Sequence, residues 1–190
     1  MKKHLIDNLI LQLNCISLVA AKEDALQTQK LIKQLIDTIR YKNGRKDQIL
    51  KIKEELSIVE NFLQIFKTRL GDVLVYDIEI DEPCLDFYIP HYTIMAFAEN
   101  CLYHAFENKE GRWEISITGK KSNNHLEMVI KDNGKGFDTS KYMSASLFST
   151  DYGTIGSTIS RLERYYKAEA VTHIESRQGL GTSVFIRIPI

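Results

Sequence analysis

Residues 97–104 read Phe97-Ala98-Glu99-Asn100-Cys101-Leu102-Tyr103-His104, which places three polar side chains within an otherwise apolar segment. Asn100 and His104 are four positions apart, so they share one face of a helix. Burying such groups is costly unless each has a partner. An asparagine oxygen suits Mg²⁺ and a glutamate can accept a proton. A helix face that simply meets water gives the same pattern, so the segment alone leaves both interpretations open.

Two glycine-containing motifs lie further along the chain. The first is Asp132-Asn133-Gly134-Lys135-Gly136-Phe137, and the second is Gly179-Leu180-Gly181-Thr182. Glycines let a backbone approach a ligand closely, and a carboxylate such as Asp132 can accept a hydrogen bond from an exocyclic amine. Each motif by itself is equally typical of a plain turn. Their meaning therefore depends on the elements that carry them.

Hydrophobic periodicity places these motifs in an α+β fold. The first 70 residues predict two helices after an N-terminal one, at about 24–41 and 47–70. The remaining predicted elements are strand 73–80, helix 91–106, strands 113–118 and 126–131, a helix ending near 166, and strands 171–175 and 182–188. This order predicts a two-layer sandwich with helices covering one face of the sheet.

Charge divides the chain into two parts near residue 70. Lys+Arg and Asp+Glu both total 25, yet residues 1–69 hold 13 basic and 8 acidic side chains, and residues 70–190 hold 12 and 17. We predict a helical region over 1–70 and a second unit over 71–190. The helix at 47–70 has two apolar stripes, which leaves core packing and a dimer interface open as alternatives. Zero net charge argues against a strongly basic nucleic-acid binder and leaves a local basic patch open.

Cysteine usage and hydropathy bear on the cellular compartment. The three cysteines, Cys15, Cys84 and Cys101, lack any C-x-x-C spacing and predict reduced thiols in a reducing compartment. Asp7 and other polar residues interrupt the N-terminal apolar run, so no segment is expected to reach the roughly 20 apolar residues of a membrane span. We predict a cytoplasmic chain, either by itself or as the cytoplasmic part of a membrane sensor.

Together, and in this order, the motifs resemble the GHKL ATP-binding proteins and, among them, the LytS-like sensor histidine kinases. The similarity extends over nearly the whole chain and rests on Glu54-Glu55-Leu56, Ile89-Pro90, Glu99-Asn100 with His104, and Gly181–Pro189. It implies the Bergerat two-layer α/β sandwich preceded by long dimerisation helices. It also implies a protein-histidine kinase that uses ATP and Mg²⁺, forms a homodimer through its N-terminal helices and phosphorylates a response regulator.

The resemblance assigns roles to individual residues. Glu99 would act as a general base or orient one, and Asn100 would hold Mg²⁺. Asp132 would accept a hydrogen bond from the adenine amine, with Gly134 and Gly136 admitting the purine. His104 would lie near the phosphates, although a histidine capping the helix end is an equal alternative. Residues 138–152 would form a lid. The implied nucleotide-binding set is Asn100, His104, Asp132, Gly134, Gly136, Gly153, Gly156, Gly181 and Thr182.

The chain departs from the family pattern at three places. Asp7 occupies the aligned position of the phosphoacceptor histidine, which leaves the acceptor unknown. The glycine patch around Gly153 and Gly156 is eroded, and Tyr103 replaces the usual lysine of the asparagine-bearing helix. Three hypotheses follow. They are an active histidine kinase, a degenerate kinase that acts as a nucleotide-binding regulatory or dimerisation module, and a structural dimerisation piece with a dead pocket.

Overall fold

A computed structural model describes residues 2–44, 47–107, 109–138, 155–167 and 169–190. Its N-terminal part is a hairpin of two helices, α1 (Lys2–Lys22) and α2 (Leu26–Lys42). The helix α2 lies within two residues of its predicted bounds at both ends, and it buries Ile32 and Ile36. The hairpin packs on a third helix, α3 (Ile52–Leu70), through α2.

Helix α1 corrects the expectation that no segment could span a membrane. From His4 to Lys22 it has 19 residues with a mean hydropathy of 1.4, and 11% of that window is buried. Its exposed apolar side chains are Leu5, Leu9, Leu11, Ile16, Leu18 and Val19. The few polar residues do not lower its hydropathy below that of a spanning helix. Helices of soluble proteins and signal sequences share this composition, so the finding assigns no location.

The second part is built on a five-stranded sheet. Its strands are β2 (Leu74–Ile80), β4 (Trp113–Ser122), β5 (His125–Asp132), β6 (Val171–Arg177) and β7 (Gly181–Pro189). The spatial order is β2-β4-β5-β7-β6, with β2 and β4 parallel and the other pairs antiparallel. Asn123, with a φ of 53°, turns the chain between β4 and β5, as the sequence predicted. All the strands predicted from alternation are therefore present.

Helices cover one face of this sheet, which confirms the predicted two-layer sandwich. The buried side chains of the strands alternate with less buried ones, as in Ile115 and Ile117 of β4 or Val184 and Ile186 of β7. They join Val59 and the other buried residues of α3 in one hydrophobic core. Two further helices complete the layer, α4 (Ile94–Asn100) and α5 (Ile155–Tyr165). Helix α3 thus packs against both α2 and the sandwich within one chain.

Two short strands were missed by the sequence analysis. β1 (Ile49–Lys51) pairs antiparallel with β3 (Tyr88–Pro90), whereas the sequence predicted helix from residue 47. Helix α3 begins after Lys51 because the Glu54 carboxylate accepts a hydrogen bond from the Lys51 backbone N–H at 2.8 Å. Strands of three residues are too short for an alternating pattern to reveal.

The asparagine-bearing helix also differs from its predicted bounds of 91–106. Pro90 lies in β3, and Tyr92 has a φ of 68°, so the helix begins only at Ile94. After Asn100 the chain continues as a wider π-helical turn, Cys101–Ala105. Such turns are frequent at functional sites.

Candidate functional site

The three sequence motifs meet at one end of the sandwich. The loop after β5 reaches the end of the asparagine-bearing helix, where the Lys135 backbone N–H donates to the Ala105 carbonyl at 2.7 Å. The same loop begins beside the last strand, because Asp132 of β5 pairs with Thr182 of β7. The structure therefore brings the helix, the first glycine motif and the second glycine motif into contact.

Asp132 is the buried carboxylate of this junction. The Gly134 N–H donates to its Oδ1 at 2.8 Å, and the Cys101 thiol lies 3.7 Å from its Oδ2. Burial raises the pKa of Asp132, and the hydrogen bonds from Gly134 and Cys101 oppose that rise. A buried carboxylate that the protein itself holds in one orientation is a suitable acceptor for an amine.

Three glycines of these motifs lie too close to the protein's own backbone for a side chain. A Cβ on Gly136, whose φ is 59°, would lie 2.1 Å from the Arg177 carbonyl oxygen. A Cβ on Gly181, whose φ is 90°, would lie 2.1 Å from the Asp132 carbonyl oxygen. One on Gly134 would meet the Ala105 backbone at 2.5 Å. These contacts explain the glycines without a ligand, and the expectation that Gly134 and Gly136 admit a purine stays a prediction.

Glu99 and Asn100 end helix α4. Asn100 is half-buried, and Glu99 is 8% exposed. The Glu99 Oε1 forms an ion pair with Lys42 Nζ of α2 at 2.5 Å, and Oε2 accepts a hydrogen bond from the Tyr92 hydroxyl. Neither partner, Lys42 or Tyr92, was predicted from the sequence. Lys42 is 57 positions away from Glu99, and no local pattern signals such a pair.

The remaining predicted site residues are distributed as follows. Thr182 is buried, and its hydroxyl lies 3.0 Å from Ser176 Oγ, which also accepts from the Phe137 N–H. His104 is exposed on the π-helical turn, and Gly156 is buried in α5. Gly153 and most of the proposed lid, 139–152, lie outside the described residues. Within the described ranges no cluster of three His, Cys, Asp or Glu could hold a metal by itself.

A third buried carboxylate lies where the helical hairpin meets the sandwich. Glu55 of α3 is fully buried, and its Oε1 accepts the Met95 N–H at 3.0 Å. Burial raises its pKa from 4.5 to about 7, against smaller opposing contributions that include Tyr41 and Arg161. The charged form is thus disfavoured in the folded state.

We expect this glutamate to make folding pH-dependent. Between pH 4.5 and 7 the native state holds a proton that the unfolded state has lost, so stability falls as pH rises through that window. The pKa difference corresponds to about 3 kcal/mol. The variant Glu55→Gln cannot ionise, and its stability relative to wild type should rise by about that amount between pH 4.5 and 7.5. Urea unfolding at both pH values measures this, with the exposed Glu60→Gln as control. An equal difference at both pH values would contradict the assignment.

Comparisons with known proteins agree with this fold. A family model described as histidine kinase matches residues 1–74. The histidine kinase domain of the blue-light activated histidine kinase from Erythrobacter litoralis EL346 superposes with a TM-score of 0.54 at 13% identity, covering 99% of this chain and 94% of that one. The catalytic domain of histidine kinase ThkA gives 0.55 at 15% identity, covering 76% and 96%. The fold is therefore that of histidine kinase catalytic domains, as predicted.

Curated proteins of similar sequence include LytS sensor proteins. Sensor protein LytS of Staphylococcus haemolyticus (strain JCSC1435) is 29% identical over 184 residues, covering 93% of this chain and 31% of that protein. YwpD of Bacillus subtilis (strain 168) is 34% identical over 144 residues, covering 74% and 50%. The resemblance to the LytS-like sensor histidine kinases is thereby confirmed. This chain spans about a third of the length of the LytS relatives it matches.

Proposed function

We propose that this chain is the ATP-binding core of a two-component sensor histidine kinase. It binds Mg·ATP, transfers the γ-phosphate to a histidine and passes it onward to a response regulator. The observation that carries the proposal is the meeting of Asp132, the asparagine-bearing helix and the Gly181-Thr182 motif at one end of the sandwich. The helical part, 1–70, would serve dimerisation and phosphoacceptance, and 71–190 would be the catalytic domain.

The residues present fit a nucleotide. Asp132 is buried and fixed by Gly134, so it would accept the adenine amine, and Thr182 beside it would support the adenine pocket. Asn100 would hold Mg²⁺ through its amide oxygen, together with phosphate oxygens. His104, Gly136, Gly153, Gly156 and Gly181 complete the proposed nucleotide-binding set. ATP supplies the phosphoryl group, and the protein supplies orientation and charge.

Glu99 is the proposed catalytic carboxylate. Both of its oxygens are engaged in this structure, one by Lys42 and one by Tyr92. This arrangement fits the orienting role better than that of a free general base, because both carboxylate oxygens already have a partner within the protein. Its position next to Asn100 keeps the carboxylate beside the proposed phosphate site.

The phosphoacceptor decides between the two leading functions. Asp7 is exposed on α1, and a carboxylate there would form an acyl phosphate instead of the phosphoramidate that a histidine forms. An acceptor histidine would then belong to a partner chain or to another position of this one. The second candidate function, a degenerate kinase that binds nucleotide to regulate a partner, is favoured by Asp7 together with the eroded Gly153–Gly156 patch.

The helical hairpin and the proposed kinase function together indicate two partners, a second copy of the chain and a response regulator. The exposed leucines of α1 would pair with a second copy, giving a homodimer through the N-terminal helices. A response regulator would receive the phosphate. The chain would act in the cytoplasm, as a cytoplasmic protein or as the cytoplasmic part of a membrane sensor.

Incubation of the chain with Mg²⁺ and γ-labelled ATP tests the proposal. An active kinase is expected to bind the nucleotide and to acquire acid-labile protein phosphate, and peptide mapping would locate the acceptor. Binding without label would favour the nucleotide-binding regulatory module. Absence of both would contradict the ATP proposal and leave the structural dimerisation piece.

A further inference from the structure

An ion pair joins the helical hairpin directly to the proposed phosphate site. Lys42, on the last turn of α2, places Nζ 2.5 Å from Glu99 Oε1. The side chains of Lys42 and Glu99 are 37% and 10% exposed. Ion pairs that are partly buried are screened by salt much less than pairs on the surface. Salt therefore weakens this contact less than it weakens an ion pair on the surface.

The end of α2 is held in place by further hydrogen bonds. The Tyr92 N–H donates to the Tyr41 hydroxyl at 2.7 Å, and His91 Nε2 lies 2.9 Å from the Tyr41 carbonyl oxygen. The Tyr92 hydroxyl in turn donates a hydrogen bond to Glu99. Tyr41, the residue before Lys42, is therefore anchored to the segment whose Tyr92 contacts Glu99. This anchoring restricts the position of Lys42 relative to Glu99.

Helix geometry relates this ion pair to Asn100. Successive residues of a helix point about 100° apart. Cys101 contacts Asp132 and Glu99 contacts Lys42, so Asn100 projects about 100° away from each of these two neighbours. A carboxylate at Glu99 without a counter-charge would repel the phosphates that Asn100 is proposed to hold through Mg²⁺.

We propose that Lys42 is a positioning residue of the nucleotide site: it orients the Glu99 carboxylate and balances its charge, so that a triphosphate binds beside Asn100. This inference rests on the proposed function. Its consequence is that the helical hairpin contributes to nucleotide affinity through one side chain of α2.

Calorimetry with the full chain tests this role with three ligands of decreasing charge. The variant Lys42→Met should bind Mg·ATP about tenfold more weakly, because the exposed charge of Glu99 repels the phosphates. The loss should be smaller for Mg·ADP and absent for adenosine, which has no phosphate. Lys42→Arg, which keeps the charge, should retain the affinity for Mg·ATP. A purely structural role would weaken all three ligands equally.

Two further variants separate charge balance from general damage. Lys51→Met removes an ion pair with Asp86 at 2.8 Å elsewhere on the molecule and should leave all three affinities unchanged. Adding Glu99→Gln to Lys42→Met should restore Mg·ATP binding, since the unbalanced charge is gone. Equal losses for all ligands, or no loss for Mg·ATP, would overturn the inference while the proposed function stands. A wild-type chain that does not bind Mg·ATP would overturn both.

Discussion

Replacing Asn100 with alanine is expected to lower phosphate incorporation from Mg·ATP by at least about a hundredfold. Asn100 is half-buried at the end of α4, where the chain widens into the π-helical turn. Alanine keeps the helix but removes the amide oxygen proposed to hold Mg²⁺. Without that ligand, the metal cannot fix the phosphates or offset the charge that develops during transfer.

The exposed Asn124→Ala, in the turn between β4 and β5, is the matched control. It loses the same chemical group away from the site and should keep wild-type incorporation. If the wild-type chain binds nucleotide without transfer, the readout becomes Mg²⁺-dependent binding, which Asn100→Ala should weaken at least tenfold. Undiminished transfer, or undiminished Mg²⁺-dependent binding, would exclude the proposed role of Asn100.

The variant Gly181→Ala is expected to lower the free energy of unfolding by more than about 3 kcal/mol. Its φ of 90° is unfavourable for alanine, and the new Cβ would lie 2.1 Å from the Asp132 carbonyl oxygen. Both atoms belong to paired strands of the sheet, so neither can move without breaking the ladder. Denaturant unfolding measures the loss, and nucleotide binding should fall with it because Asp132 shifts.

The variant Gly179→Ala separates the two contributions expected at Gly181, the unfavourable φ and the contact of the new Cβ with the Asp132 carbonyl oxygen. Its φ of 80° is similar, but a Cβ there meets no atom within 4 Å. We therefore expect Gly179→Ala to cost only about 1 kcal/mol. Similar losses for the two variants would show that the strands relax around Gly181 and that strain alone accounts for the effect.

The sheet was predictable from the sequence because its pattern is local. Alternation along Trp113–Ser122 and Gly181–Pro189, and the turn at Asn123, follow from neighbouring residues. The pair β1 and β3 was not predictable, since three-residue strands pair over about 40 positions. The π-helical turn after Asn100 likewise depends on packing that no local propensity encodes.

In the candidate site, too, local motifs were predictable from the sequence and tertiary contacts were not. The motifs around Asp132 and Gly181 were evident from the sequence, and the pairing of β5 with β7 explains why they meet. Lys42, Tyr92 and Ser176 were missed because their roles arise from tertiary contacts. The structure also gives the glycines a second reason, contact with the protein's own backbone, which a sequence alone cannot distinguish from contact with a ligand.

Helix α3 connects the helical hairpin to the sandwich. It packs on α2 on one side and supplies Val59 and Leu63 to the sandwich core on the other. A displacement of α2 would therefore also move α3 and, with it, the core residues that α3 supplies to the sandwich. The two parts should accordingly melt in a single cooperative transition.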